Sequence, residues 1–73
     1  MKNGSADNIM ACMDLVLPFG STFKGELIEE IPSWYLKWGS ENFDDKLMSE
    51  LRISWCEVFS RVWSWREEND EHI

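Results

Sequence analysis

Few side chains in this chain have the types and spacing for covalent chemistry. The single histidine, His72, lies in a terminal run of acids, and the two cysteines, Cys12 and Cys56, are far apart and outside any Cys-x-x-Cys pair. Nucleophilic catalysis needs a hydroxyl or thiol beside a base that a third group orients. No spacing here proposes a Ser–His–acid or Cys–His set, so no catalytic residue is assigned and the chain is read as not an enzyme. Glu29-Glu30 and Asp44-Asp45 are paired carboxylates of the kind that metal or acid–base chemistry uses. Adjacent acids on a helix point in different directions, and acids at a helix start meet the positive end of its dipole. They are read as solvated or capping groups, with no metal and no cofactor. The loop from Gly20 to Gly25 is followed by Glu26, where a phosphate-binding loop would continue Lys-Ser/Thr, so it is read as a turn.

Aromatic and acidic side chains remain. Five Trp, four Phe and one Tyr stand in 73 residues, and each ring brings about 150–250 Å² of area to bury. Trp34, Trp38, Trp55, Trp63 and Trp65 cannot all be interior in so small a domain. Trp55 and Trp65 are expected in the core, with Phe19, Tyr35, Leu36 and Trp38. Trp34 and Trp63 are expected to be partly exposed and to anchor an interface, because a rigid ring buries area at low entropy cost. The net charge is −7. Residues 26–45 carry six acids against Lys37 alone, while Lys46, Arg52, Arg61 and Arg66 fall in the following stretch. A chain with an isoelectric point near 4.5 is repelled by a phosphate backbone. Direct nucleic-acid binding is therefore disfavoured, and a basic protein surface is the better electrostatic partner.

A chain of this length allows one domain, which buries only about 60% of its unfolded surface. Two cysteines without a framework spacing are read as reduced thiols in a cytoplasmic protein. No apolar run is long enough to span a membrane, and the N-terminal residues lack the charged and apolar regions of a secretory signal. Composition divides the chain into a flexible leader at 1–12, one small domain at 13–68 and an acidic tail at 69–73.

The elements expected to position these side chains are mainly α: two short helices and one long C-terminal helix, with a short extended N-terminal segment at 14–17. Pro18 biases Leu17 away from helical angles, and Gly20 and Gly25 supply turn angles that a side chain would forbid. One or two helical turns are expected over 26–31, stopped by Pro32. Ser33 is expected to cap a second short helix through Trp38 that Gly39 or Ser40 ends. Asp44 is expected to cap the long helix at about residues 45–68, with Phe43 and Met48 as a hydrophobic staple. Spacing carries that expectation, because Leu47, Met48, Leu51, Trp55, Val58, Phe59, Val62 and Trp65 fall within an arc of about 120°. Glu50, Glu57, Arg61 and Glu68 cluster on the opposite face.

Residues 17–38 carry Pro18-Phe19-Gly20, Lys24-Gly25, Ile31-Pro32 and Tyr35-Leu36-Lys37-Trp38 in that order. This block resembles a family of very small bacterial and phage proteins catalogued as quorum-sensing-regulated virulence factors. Their pattern is Pro-Phe-Gly-Lys-Tyr/His-Lys-Gly, a short helix ending in Pro, then x-x-Tyr-Leu-x-Trp. Related motifs on DNA-processing proteins make nucleic-acid metabolism the setting that the resemblance implies. Ser21-Thr22-Phe23 replaces the usual Lys-Tyr, which removes a lysine and weakens any phosphate-contacting role for the loop.

The expected function is a small, non-enzymatic, acidic protein-binding module, in the setting of a phage-encoded modulator of a host nucleic-acid-handling enzyme. Its carboxylates would imitate phosphates. The expected partner-binding residues are Trp34, Trp63, Glu26, Glu29, Glu30, Asp44 and Asp45. Two alternatives stay open. One is a nucleic-acid-binding accessory module that uses Lys46, Arg52, Arg61 and Arg66 on the long helix. The other is a self-associating protein in which the Cys56/Trp63 flank seals a homodimer.

Overall fold

The computed structural model describes the backbone of residues 4–72, with side chains from residue 9 onward. It is the small, mainly α domain expected, ending in its longest helix. Three α-helices, α1 (Gly4–Met13), α2 (Ser33–Asn42) and α3 (Trp55–Asn69), are joined by a narrow hairpin and a tight loop. Among the described residues no helix is long and apolar enough to cross a membrane.

Composition placed residues 1–12 in a leader. Residues 1–3 lie outside the described residues, but α1 already begins at Gly4 and contributes to the core. Cys12 is fully buried, and Ile9 and Met13 pack against the buried cluster. Those three sit at i, i+3 and i+4, the spacing of one helix face, which the polar residues before them obscure. Burial pushes the Cys12 thiol above its ordinary pKa; the charge of Arg61 opposes the shift and that of Glu57 adds to it. The thiol is therefore an uncharged core group.

Residues 15–17 run extended, as expected, and pair with the chain that returns from the glycine loop. Val16 and Leu27 form an antiparallel bridge. Around it, Leu17 N–H donates to Glu26 O at 3.0 Å and Ile28 N–H to Leu15 O at 2.9 Å. The turn needs both glycines, with φ of 90° at Gly20 and 89° at Gly25, angles that an L side chain resists. The returning chain leads into a single 3₁₀ turn, Ile28–Glu30, within the 26–31 stretch where one or two helical turns are expected.

Two expected helix limits are corrected. Ser33 does not cap α2. Pro32 occupies the cap position, and its carbonyl accepts from the N–H groups of Tyr35 and Leu36. Nor does α2 end at Gly39 or Ser40, since it runs on to Asn42. Gly39 is buried there because α2 meets α3 at this residue: a Cβ would lie 2.7 Å from Cε2 of Phe59 and 2.8 Å from Cε2 of Phe43.

The larger correction concerns the long helix. Residues 45–54 are not helical, and α3 begins only at Trp55. Asp44 instead accepts from the N–H of Lys46 at 2.9 Å, closing a local turn. Met48 bridges to Ser54, and Trp55 N–H donates to Leu47 O at 2.7 Å. Within that loop the buried Ser49 hydroxyl donates to Ile53 O and accepts from Leu51 N–H, while Arg52 takes a φ of 67°. A serine that bonds nearby backbone competes with the helix, and a left-handed residue cannot continue it. Leu47, Met48 and Leu51, expected inside, are exposed. Ser54 is the true cap, its hydroxyl accepting from Glu57 N–H at 3.3 Å.

The core is built from Leu15, Leu17, Ile28, Ile31, Leu36, Trp55, Val58, Phe59 and Val62, with Cys12. From it a chain of aromatic contacts runs outward. Trp55 meets Phe19 and Phe59, Phe59 meets Tyr35 and Phe43, and these support Trp34 and Trp38 at the surface.

Candidate functional site

On α2, Trp34, Lys37, Trp38 and Glu41 recur at i, i+3, i+4 and i+7 and so share one face. That face lies beside Trp63 and Glu67 of α3, one helical turn apart from each other. Between the two helices these six side chains line an open groove of about 640 Å³. Trp34 is 64% exposed and Trp38 47%, an unusual exposure for large rings in a chain that needs its aromatic area for a core. Both are held rather than loose. Tyr35 is stacked with Trp38 at 5.4 Å between ring centres and meets Trp34 edge-on at 5.6 Å. Phe23 supports Trp34 and Phe43 supports Trp38 from beneath.

The charged groups of the groove are arranged around the rings. Lys37 Nζ sits 5.6 Å from the centre of the Trp63 ring, within the range of a cation–π contact. The same ammonium donates to Glu41 at 3.3 Å. On the other side, Glu67 accepts from His72 Nε2 at 2.6 Å, and the imidazole leans on Trp63 at 4.9 Å.

One end of the groove is fixed by a buried arginine. Arg66 is 2% exposed, and its guanidinium donates to Ile31 O at 2.6 Å, Glu29 O at 2.9 Å, Ile28 O at 3.4 Å and Ser33 Oγ at 3.1 Å. These partners are three carbonyls and a hydroxyl, so oriented dipoles at the end of the 3₁₀ turn stabilise the charge. Burial pulls the Arg66 pKa below its ordinary value. An arginine starts so high that it keeps its proton regardless. Arg66 thereby ties the last turn of α3 to the start of α2 and sets where Trp34 emerges.

The sequence proposed no Ser–His–acid set, yet the fold assembles one in outline. Ser33 Oγ lies 2.8 Å from His72 Nδ1, and His72 Nε2 lies 2.6 Å from Glu67. With Glu67 ionised, Nε2 carries the hydrogen, and in the neutral imidazole Nδ1 accepts from the serine hydroxyl. Ser33 is 6% exposed and its oxygen already accepts from Arg66. The arrangement braces the residues after α3 against the start of α2.

Of the expected partner-binding residues, the structure brings Trp34 and Trp63 together in the groove, with Trp63 half-buried as anticipated. The acids do not gather there. Glu26, Glu29 and Glu30 are exposed before α2, and Asp44 and Asp45 are exposed after it. The ten residues of α2 separate the two groups by about 15 Å along the helix axis. Trp38 is corrected from core to surface, and Trp65 is half-buried rather than interior. Lys37, Glu41, Glu67 and His72 were missed as site residues. The i, i+3, i+4, i+7 recurrence in α2 was a signal for the first two, and an expected end at Gly39 or Ser40 left Glu41 off the helix. The four bases expected along the long helix are scattered: Lys46 and Arg52 lie in the loop before it, Arg66 is buried and Arg61 pairs with Glu57 at 2.9 Å.

Comparison with family models, with curated proteins and with solved structures gave no match.

Proposed function

We propose that this chain is a non-enzymatic, acidic protein-binding module whose working face is the groove between α2 and α3. One observation carries the reading: Trp34 and Trp38 stand 64% and 47% exposed while a continuous set of rings beneath them holds them in place. Keeping large rings in water forgoes the burial that a small domain needs, and preorganised aromatics are what an interface uses as anchors. The net charge of −7, with Glu29 and Glu30 at one end of α2 and Asp44 and Asp45 at the other, favours a partner with a basic surface. An enzyme that handles nucleic acid has such a surface. A phage-encoded modulator of a host enzyme of that class fits the size, the acidity and the resemblance of residues 17–38. The free thiols at Cys12 and Cys56 suit a cytoplasmic setting.

The Ser33–His72–Glu67 line supports a brace rather than a catalyst, because the serine is buried and Arg66 occupies its oxygen. A nucleic-acid-binding module would need a basic groove beside the rings, and the cations available for one are buried, paired or off the helix.

The test compares capture from extracts of the source cells by the intact chain and by a Trp34→Ala/Trp63→Ala variant, at low and high salt. The expected result is a basic protein held by the intact chain, lost with the variant and weakened by salt. A partner held equally by both chains would remove the groove from the interface.

A further inference from the structure

We infer that the groove is a receptor for an arginine side chain of the partner, and that Lys37 occupies it in the free protein as an internal stand-in. This rests on the proposed protein-binding role and names the chemistry that the same site recognises. The chain itself already places a cation there. Lys37 Nζ lies over the Trp63 ring and donates to Glu41, so the position has both an aromatic face and a carboxylate for a positive charge. Across the groove Glu67 offers a second carboxylate, whose present partner is the imidazole of His72. Trp34 and Trp38 supply further exposed faces from the α2 side. A flat, weakly hydrated guanidinium stacks on indole and forks its donors onto carboxylates better than a compact, strongly hydrated ammonium does. The open volume of about 640 Å³ admits a whole arginine side chain. The Lys37–Glu41 pair is exposed, with 55% and 60% of the two side chains in water. Such a pair is weak, and an incoming guanidinium can displace it.

The intact ¹⁵N-labelled chain is titrated with N-acetylarginine methylamide and, in parallel, with N-acetyllysine methylamide, while the five indole N–H signals are followed. The expected result is saturable movement of the Trp34, Trp38 and Trp63 signals with Trp55 unmoved. The arginine compound should bind about fivefold more tightly than the lysine compound. Lys37→Ala, at an exposed position that leaves the fold intact, should tighten arginine binding by removing the competitor. Glu41→Gln with Glu67→Gln should weaken it. Equal binding of the two compounds, shifts scattered over the surface, or weaker binding in Lys37→Ala would overturn the assignment. If no indole signal moves while the Trp34→Ala/Trp63→Ala variant still loses its captured partner, the binding face stands and the arginine receptor falls.

Discussion

Arg66 and Arg61 lie five positions apart on one helix and show how differently a charge can be used. Arg61 reaches Glu57 one turn earlier, with 35% and 49% of the two side chains still in water. Removing an exposed pair of this kind costs no more than about 1 kcal/mol. Arg66 is interior and answers the carbonyls of Ile28, Glu29 and Ile31 together with the Ser33 hydroxyl. Arg66→Met keeps much of the apolar stem and strands those acceptors without a donor. The expected loss is on the order of 3 kcal/mol, read as a lower urea midpoint, against less than about 1 kcal/mol for Arg61→Ala. Similar midpoints for the two variants would mean that Arg66 does not hold the start of α2. Ser33 shows how such a role escapes a sequence reading. A serine after proline and before an apolar run has every property of a helix cap, and only the fold brings Arg66 and His72 to its oxygen.

At the scale of elements, what was legible in the sequence was whatever local chemistry decides. Gly20 and Gly25 adopt the left-handed angles that their spacing around a turn implied. The Trp55–Asn69 helix carries the Trp55, Val58, Phe59 and Val62 face that periodicity picked out. Illegible were the decisions made by distant partners. Gly39 looks like a helix stop, yet it is the close-approach point of α2 on the Phe59 ring. Leu47, Met48 and Leu51 continue the apolar period of α3 backwards, yet the Ser49 hydroxyl and the left-handed Arg52 turn that stretch into a loop. Apolar spacing alone cannot reveal such a break, because side-chain bonds to the backbone carry no period. Two caps separate the alternatives. Ser54→Ala should cost about 1 kcal/mol as loss of a true N-cap, whereas Asp44→Ala, in an exposed turn, should change little in the same urea titration. A larger effect at Asp44 would restore the longer helix and with it a buried Leu47–Met48–Leu51 face.

Taken whole, the molecule spends its aromatic residues in two ways. Trp55 and Phe59 close the core, while Trp34 and Trp38 are carried outward on Tyr35 and Phe43 to face Trp63 across an open groove. The acids expected to meet the partner, Glu26, Glu29, Glu30, Asp44 and Asp45, lie before and after α2, outside that groove. They would steer a basic partner, whereas the rings would hold it, since long-range charge acts mainly on encounter and buried anchors on residence. Two of the six groove side chains, Trp34 and Trp63, were visible as surplus tryptophan. The remainder depended on the true length of α2 and on the crossing that brings Glu41 and Glu67 to one groove. The most direct measurement is oxidative footprinting of each tryptophan in the intact chain, free and bound to its captured partner. The account predicts that Trp34 and Trp38 are labelled in the free chain and protected in the complex, with Trp55 protected in both. Equal labelling of Trp34 and Trp38 in the free and bound states would contradict it.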